Sequence, residues 1–413
     1  MKKFFVFALV FALSVIVSCG SGKKDEPEPA DTDTDTSDTE NPDGDNTDSS
    51  DTEPTDTEPT DTEPADTDTD TDTDTDMDTD TDADTDTDTE KPVEKHELIG
   101  RYNDAWGYSH IISNTAWFSY GDSLFHITQF NNEKDFIIAH NDETHPWAPD
   151  KWSRFDYTEK DGKLYFCQIT YTAETEAEAL AADTADRTDP ANSGCGEYSW
   201  SELIEVIEEP IDKDDTKIVA WATGYENYIV GEGVEEKWQT PEKALGKAVG
   251  DSFDVVVLGD GGSIVLTFDK PVTDGEGADF AVFENSFNDG FLELGTVEVS
   301  SDGEHFAAFD NYYLGVEKID SMGSHDASLI WGFAGKFKQG KGTMFDLADL
   351  EGKPEVEDGT VDLEAITHIK IVDVIGDGSQ LDSIGDPIYD PYPTGAISAG
   401  FDLDAVAVIN EKE

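Results

Sequence analysis

The sequence has few basic residues, and this scarcity is the strongest constraint on what the protein can bind. It carries 26 Lys and Arg against 95 Asp and Glu, a formal net charge of −69. Nucleic acids and anionic lipid surfaces are bound by basic faces, because their phosphates have to be neutralised. The composition therefore argues against nucleic acid as a partner and favours divalent cations or cationic surfaces.

Long apolar runs are also missing, apart from one at the amino terminus. Two lysines precede a mainly apolar stretch from Phe4 to Val17. This stretch is shorter than the ~18 residues that a membrane-spanning helix needs. A short apolar run behind a basic start is typical of an export signal, so we predict a signal peptide over residues 1–18.

The apolar run ends in Ile16-Val17-Ser18-Cys19, which resembles the lipobox of bacterial lipoproteins. The resemblance implies cleavage before Cys19 and lipidation of its thiol, whereas the alternative is an ordinary signal peptide that happens to hold a cysteine. Two or more acyl chains, such as palmitate, give stable membrane anchoring. Gly20, where some lipoproteins have Asp, resembles those sorted to the outer membrane. We therefore expect a lipid-anchored outer-membrane protein at the cell surface.

Cysteine is scarce, with three in the chain. Besides Cys19 these are Cys167 and Cys195, and neither a CxxC motif nor clustered histidines accompany them. An even pair in an exported chain is more often a disulfide than a metal or catalytic site. We predict a structural disulfide that contributes roughly 3 kcal/mol by closing its loop.

Residues 19–92 hold almost nothing that could form a core, with Met77 their only large apolar side chain. From Asp66 to Glu90 they run DTDTDTDTDTDMDTDTDADTDTDTE. Like charges repel one another, and such a segment cannot offset its ordering entropy. The alternation lacks the glycine and the distant glutamate of an EF-hand loop. We predict a disordered tether.

Near Glu97 the composition changes to short aromatic and β-branched runs separated by Gly, Asn and Asp. Residues 110–142 predict three strands, and residues 151–172 predict a hairpin that turns at Asp161-Gly162. One helix is expected over roughly Thr175 to Ala185, followed by a last strand. This pattern predicts an all-β domain over 97–207, a small antiparallel barrel or sandwich with one helix.

Residues 208–217 are charged without apolar periodicity and are interpreted as a linker. Residues 218–410 are again rich in strands, with glycine turns and without regular intervening helices, which favours a β-sandwich over a βαβ fold. Two long loops, 315–349 and 376–399, are expected to carry function, because long loops on a rigid sheet often do.

Both domains resemble domains of exported bacterial proteins. Residues 218–410 resemble an uncharacterised domain of cell-surface proteins. The resemblance is carried by the motifs TPEKALG, VVLGDGGSIVLTFDKPV, GFAGKFKQGKGTMFDL and GFDLDAVAVIN. That resemblance implies surface location and a jelly-roll-like sandwich, without an activity. The motifs GRYNDAW, PDKWSRFDYT and SGCGEYSW resemble a second small β domain, found in lipid-anchored proteins.

An acidic cluster near the carboxyl terminus is the main candidate site. Ca²⁺ takes six to eight oxygen ligands at ~2.4 Å, and loops rich in Gly and Asp can present them. Asp402 and Asp404 alternate along a predicted strand and would share one face. The alternative is that these side chains cap turns and face water. We predict, as a hypothesis, a Ca²⁺ site drawn from Glu284, Asn285, Asp373, Asp386, Asp390, Asp402 and Asp404.

Aromatic side chains in loops are the candidate ligand platforms. Sugar-binding modules use exposed rings, although small β domains also bury Trp to fill a thin core. The candidates are Trp147, Trp152, Trp331, Tyr389 and Tyr392.

Enzyme motifs are absent from the sequence. It has no HExxH motif and no GxSxG elbow, and its histidines are dispersed, so we predict a protein that is not an enzyme. The expected function is the binding of a glycan or another extracellular ligand, such as a protein, by the C-terminal sandwich. Passive structural or adhesive display is the alternative, and a surface hydrolase is a third.

Overall fold

Short-range turn chemistry explains much of the strand pattern that the computed structural model shows. Asp161 and Gly162 both have positive φ angles, 54° and 74°, as the tightest hairpin turns require. The structure describes residues 92–119, 123–251, 253–394 and 397–412. The predicted signal peptide, the lipidation of Cys19 and all but the last residue of the tether predicted over 19–92 lie outside the described residues.

The first eight strands form a closed antiparallel barrel, in which each strand pairs with the next and the last pairs with the first. Its core is filled by Trp117, Phe125, Phe155 and neighbouring apolar side chains. The strands are β1 Gly100–Asp104, β2 Ser109–Ile112, β3 Ala116–Ser119, β4 Ser123–Asn131, β5 Phe136–Asn141, β6 Trp152–Lys160, β7 Lys163–Ala173 and β8 Ser201–Glu205.

The predicted helix is present but shorter than expected. Helix α1, Glu176–Ala181, begins at Thr175, whose side chain accepts a hydrogen bond from the backbone N–H of Glu178. It ends early because the buried Arg154 guanidinium donates to the carbonyls of Leu180 and Ala182. The predicted disulfide is confirmed, since Cys167 and Cys195 are bonded with their Cα atoms 5.6 Å apart.

The remaining described strands form two larger antiparallel sheets and two two-stranded sheets, which confirms an all-β fold with a jelly-roll-like sandwich. One sheet has the order β10-β23-β14-β19-β9, with β12 also on β23, and the other has the order β11-β13-β20-β15-β16. The strands are β9 Ile211–Asp212, β10 Ala220–Trp221, β11 Gly224–Ile229, β12 Val256–Val257, β13 Ser263–Val272, β14 Phe280–Glu284, β15 Gly295–Ser300, β16 Ala307–Ala308, β17 Tyr312–Tyr313, β18 Ile330–Trp331, β19 Lys341–Phe345, β20 Ile366–Asp373, β21 Asp377–Leu381, β22 Pro387–Tyr389 and β23 Asp402–Val408.

Short helices complete the sandwich. They are α2 Pro354–Glu357 and the 3-10 turns Glu236–Trp238, Pro241–Ala244, Ala327–Leu329, Leu347–Leu350 and Leu363–Ala365. Strand β9 lies within the segment interpreted as a linker and pairs with β19 of the sandwich. Among the described residues no helix is both long and apolar enough to cross a membrane.

The barrel and the sandwich belong to one compact unit, Asp86–Glu413, and pack directly on each other. Phe118 of the barrel stacks on Tyr312, with ring centroids 6.4 Å apart. The Arg101 guanidinium lies 4.9 Å from the ring centre of Trp331. These apolar and cation–π contacts tie the two parts together.

Candidate ligand-binding cleft

Two neighbouring strands bring acidic and amide side chains together at one end of the sandwich. Strand β14 ends at Glu284, and its antiparallel partner β23 begins at Asp402, so Glu284 lies opposite Leu403 in the ladder. The next residue after β14, Asn285, donates from Nδ2 to Oδ2 of Asp402 at 2.9 Å. Strand pairing therefore joins groups that are more than a hundred residues apart in the chain.

Three further carboxyl groups interact electrostatically with those of Glu284 and Asp402. Asp373 is the last residue of β20, Asp390 directly follows β22, and Glu293 precedes β15. All five carboxyl side chains are buried. The neighbours that raise the pKa of Glu293 are the other four: Asp402, Asp390, Glu284 and Asp373.

Burial and mutual repulsion hold the protons on these groups. Burial is the largest cause in each case, because a charged carboxylate loses its hydration there. It raises the pKa of Asp373 to about 7 and the pKa of Asp402 to about 8. The pKa values of Glu284, Glu293 and Asp390 also lie well above their usual range. Within the described part of the chain no basic side chain forms an ion pair with any of the five.

Hydrogen bonds satisfy part of this cluster and leave two oxygens without a partner. Asp373 accepts from the backbone N–H groups of Gly261 and Phe401 at 2.7 and 2.6 Å. By contrast, Glu284 Oε1 and Asp402 Oδ1 are buried with no hydrogen-bond partner. Buried polar atoms are normally satisfied, so two orphaned oxygens in one cluster indicate a missing proton donor, water or cation.

A concave cleft of ≈ 650 Å³ opens above these groups. Asn285, Glu293 and Asp402 line it from the sandwich. Both long loops contribute, with Ser321 and Met322 from residues 315–349 and Thr394 and Ser398 from residues 376–399. Phe253, Phe287 and Phe291 complete the lining. The arrangement is a polar, acidic floor with an apolar rim, as in many small-molecule sites.

A second acidic group has closer metal-ligand spacing. One carboxylate oxygen from each of Asp274, Asp279 and Asp346 lies within 4.8 Å of the others. Among the described residues, no three carboxylates of the cleft come together as closely. That spacing is about twice a Ca²⁺–oxygen distance. However, Asp279 already accepts hydrogen bonds from Gly275, Leu347 and Asn410. The triad has the tighter geometry, and the cleft has the unsatisfied oxygens.

The predicted metal ligands separate into two sets. Asn285 and Asp402 line the cleft, and the buried Glu284, Asp373 and Asp390 act on the cleft residue Glu293 electrostatically. Asp386 lies instead at the contact with the barrel and accepts a hydrogen bond from the Thr115 hydroxyl.

Asp404 does not line the cleft beside Asp402. The ladder pairs Phe283 with Ala405 and Glu284 with Leu403, so Asp404 is the extra residue of a bulge. A bulge breaks the alternation of side chains along a strand. The Asp404 carboxylate consequently accepts from the backbone of Val249 and Gly250.

The predicted aromatic platforms do not line the cleft. Trp331 is 3% exposed, with the Lys336 ammonium 3.7 Å from its ring centre. Tyr389 packs edge-on against Tyr313, and Tyr392 is half-buried.

In the barrel, Trp147 is exposed, whereas Trp152 is half-buried and packs against His140 at 4.9 Å. Trp147 and Trp152 therefore do not form one platform.

Sequence reasoning missed Glu293 and the phenylalanines of the rim. Glu293 lies between Leu292 and Leu294, which are both fully buried. A single carboxylate inside an apolar run is a usable signal, because burying a charge is costly without a partner. The triad had no comparable signal, since Asp274 and Asp279 lie in the connection between β13 and β14 and Asp346 follows β19.

Comparison with known proteins does not assign a family to the chain. No family model matches the chain, and no curated protein matches it. The resemblances to bacterial lipoproteins and to exported surface domains therefore stay predictions.

Proposed function

We propose that the protein is a lipid-anchored cell-surface binding protein whose sandwich cleft holds an extracellular glycan, with a divalent cation such as Ca²⁺ in support. The observation that carries the proposal is the cleft itself, in which buried, partly unsatisfied carboxyl groups lie beneath exposed apolar side chains. The lipid anchor rests on the lipobox at Cys19.

The rim supports a ligand with apolar faces. Phe253, Phe287 and Met322 are 71%, 57% and 75% exposed, and Phe287 stacks on Phe291 with ring centroids 5.1 Å apart. Exposed large apolar residues grouped at one place mark interaction sites. The C–H faces of sugar rings pack well on such groups, while their hydroxyls reach polar side chains below.

The floor supports a cation as well as sugar hydroxyls. A hard divalent cation prefers carboxylate and amide oxygens, and the two orphaned oxygens of Glu284 and Asp402 are of this kind. The ion would be held by the carboxylates of Glu284, Glu293 and Asp402 and by the amide of Asn285. Water would supply its remaining ligands, because the carboxylates are not gathered as closely as in the triad.

A surface hydrolase is the second candidate function, and the raised pKa values favour it. A carboxyl group that keeps its proton near neutral pH is suited to general acid catalysis. Glu293 lines the cleft, and burial raises the pKa of its carboxyl group well above the usual range. Turnover of a glycan that binds the cleft would assign this activity, whereas binding without turnover supports the binding protein.

A glycan panel tests the proposal. We expect the purified protein to bind at least one glycan in Ca²⁺, with the binding weakened in EDTA and lost in Phe287→Ala. Tyr225→Ala is the matched control, since Tyr225 is exposed on β11 and does not line the cleft. A blank panel, or binding that Phe287→Ala leaves intact, would contradict the proposal and favour passive display.

A further inference from the structure

The barrel has its own cavity at one end, with a volume of ≈ 390 Å³. Aromatic rings form most of its wall, among them Trp117, Phe125, Phe155 and Phe166. Asp104 and His110 contribute polar groups to the same wall. We propose that this cavity is a second binding site, for one neutral sugar ring, independent of the sandwich cleft.

The hydrogen bonds around His110 fix where its proton lies. The Trp117 indole N–H donates to His110 Nδ1 at 3.2 Å. An indole nitrogen can only donate, so Nδ1 is the acceptor and the proton of the neutral ring sits on Nε2. Burial lowers the pKa of His110, which keeps the ring neutral. His110 therefore presents an N–H donor at Nε2.

This donor has no hydrogen-bond partner, although His110 is 3% exposed. Asp104 Oδ2 lies 3.6 Å from Nε2, which is too far for a hydrogen bond. Asp104 is held in place because its Oδ1 accepts from the backbone N–H groups of Trp106 and Tyr108. A donor and an acceptor thus stand side by side in the cavity wall.

A hydroxyl group satisfies both at once. It would accept from His110 Nε2–H and donate to Asp104 Oδ2, which removes the cost of leaving a buried polar group unsatisfied. Ser123 and Gln168 also line the cavity and offer further polar contacts.

The mouth of the cavity indicates the rest of the ligand. Trp147 and Tyr171 line it and are 72% and 47% exposed, so their rings can pack on the C–H face of a sugar. None of the described lining residues is Lys or Arg. With Asp104 in the wall and a net charge of −69, an anionic ligand is disfavoured, and the neutral sugar fits.

Titration calorimetry of the full chain with glucose, galactose, mannose and N-acetylglucosamine tests the proposal, together with an oligosaccharide ending in each. We expect one sugar to bind, with affinity at least tenfold weaker in Trp147→Ala and in Asp104→Asn. Trp106→Ala is the matched control, because Trp106 is 76% exposed and its side chain does not line the cavity. Its affinity should equal that of the wild type.

Comparing the free sugars with the oligosaccharides shows whether the ligand is a free sugar or the end of a sugar chain. Tighter binding of an oligosaccharide than of its end sugar assigns the end of a chain, and equal affinities assign a free sugar. Both results support the site. The proposal is overturned if no sugar binds, if Trp147→Ala binds as tightly as Trp106→Ala, or if phenol occupies the cavity and the sugars do not.

Discussion

The pH dependence of stability in a chelator probes the buried carboxyl groups of the cleft directly. Asp373 and Asp402 have pKa values of about 7 and about 8 in the folded protein, compared with about 4 in an unfolded chain. Folding therefore raises the pKa, and the unfolded state gives up these protons first as the pH rises. The free energy of unfolding is therefore highest, as far as these two groups decide it, below about pH 4. It falls progressively between pH 4 and pH 8, where the unfolded chain has lost the protons and the folded protein still holds them.

The size of the effect follows from the same values. Each group lowers the free energy of unfolding by about 1.4 kcal/mol per pH unit inside its window. Two groups between pH 5 and pH 7 give an upper limit of about 5 kcal/mol, which water entering the cleft reduces. Thermal melting of the protein in EDTA should therefore show a midpoint that falls from pH 5 to pH 8.

A divalent cation should reverse this trend, because it binds the ionised carboxylates. At a hundredfold excess over its dissociation constant, Ca²⁺ stabilises the folded state by about 2.7 kcal/mol. For a domain of this size that corresponds to roughly 5–10 °C in the melting midpoint. We expect the difference between Ca²⁺ and EDTA to grow as the pH rises.

Two matched variants locate the ion. Asp402→Asn should abolish the Ca²⁺ shift, whereas Asp346→Asn should keep it, because Asn can replace Asp346 at the start of its 3-10 turn. The reasoning is refuted if the midpoint in EDTA is flat or rises from pH 5 to pH 8. Loss of the shift in Asp346→Asn alone would assign the ion to the triad.

Three further predictions concern the barrel and the anchor. Reduction of the Cys167–Cys195 bond, which closes a separation of 28 residues, should cost about 3.5 kcal/mol in calorimetry with reductant; an unchanged midpoint would contradict this. Arg154→Ala leaves the buried Asp156 carboxylate without its 2.8 Å partner and should cost about 3–5 kcal/mol in urea unfolding, and a loss below 1 kcal/mol would refute it. Cys19→Ala should release the protein from the membrane fraction, whereas continued sedimentation with membranes would exclude the lipobox.

Local chemistry made most of the strands predictable from the sequence, although residues 110–142 hold four strands rather than the expected three. The hairpin at Asp161-Gly162 pairs Lys160 with Lys163, as a two-residue turn of this composition requires. Alternating aromatic and β-branched residues likewise indicated an all-β chain. The same reasoning overextended the helix past Ala181, because the interaction of its carbonyls with Arg154 is a tertiary contact.

The cleft was predictable only in part, because its members meet through long-range pairing. Glu284, Asn285 and Asp402 were identifiable as acidic and amide residues at strand ends. Glu293 lies between two buried leucines, and its single carboxylate inside an apolar run was the signal that the search for acidic loops missed. Asp404 was expected at the same site, but it is the extra residue of a bulge and its carboxylate accepts hydrogen bonds from the backbone of Val249 and Gly250.

A crystal structure of the protein grown with Ca²⁺ and the tightest glycan of the panel tests the central claim most directly. The account predicts an ion beside the orphaned oxygens of Asp402 and Glu284, and a sugar ring against Phe287 in the cleft. An ion at Asp274, Asp279 and Asp346 alone, or a glycan bound away from the cleft, would contradict it.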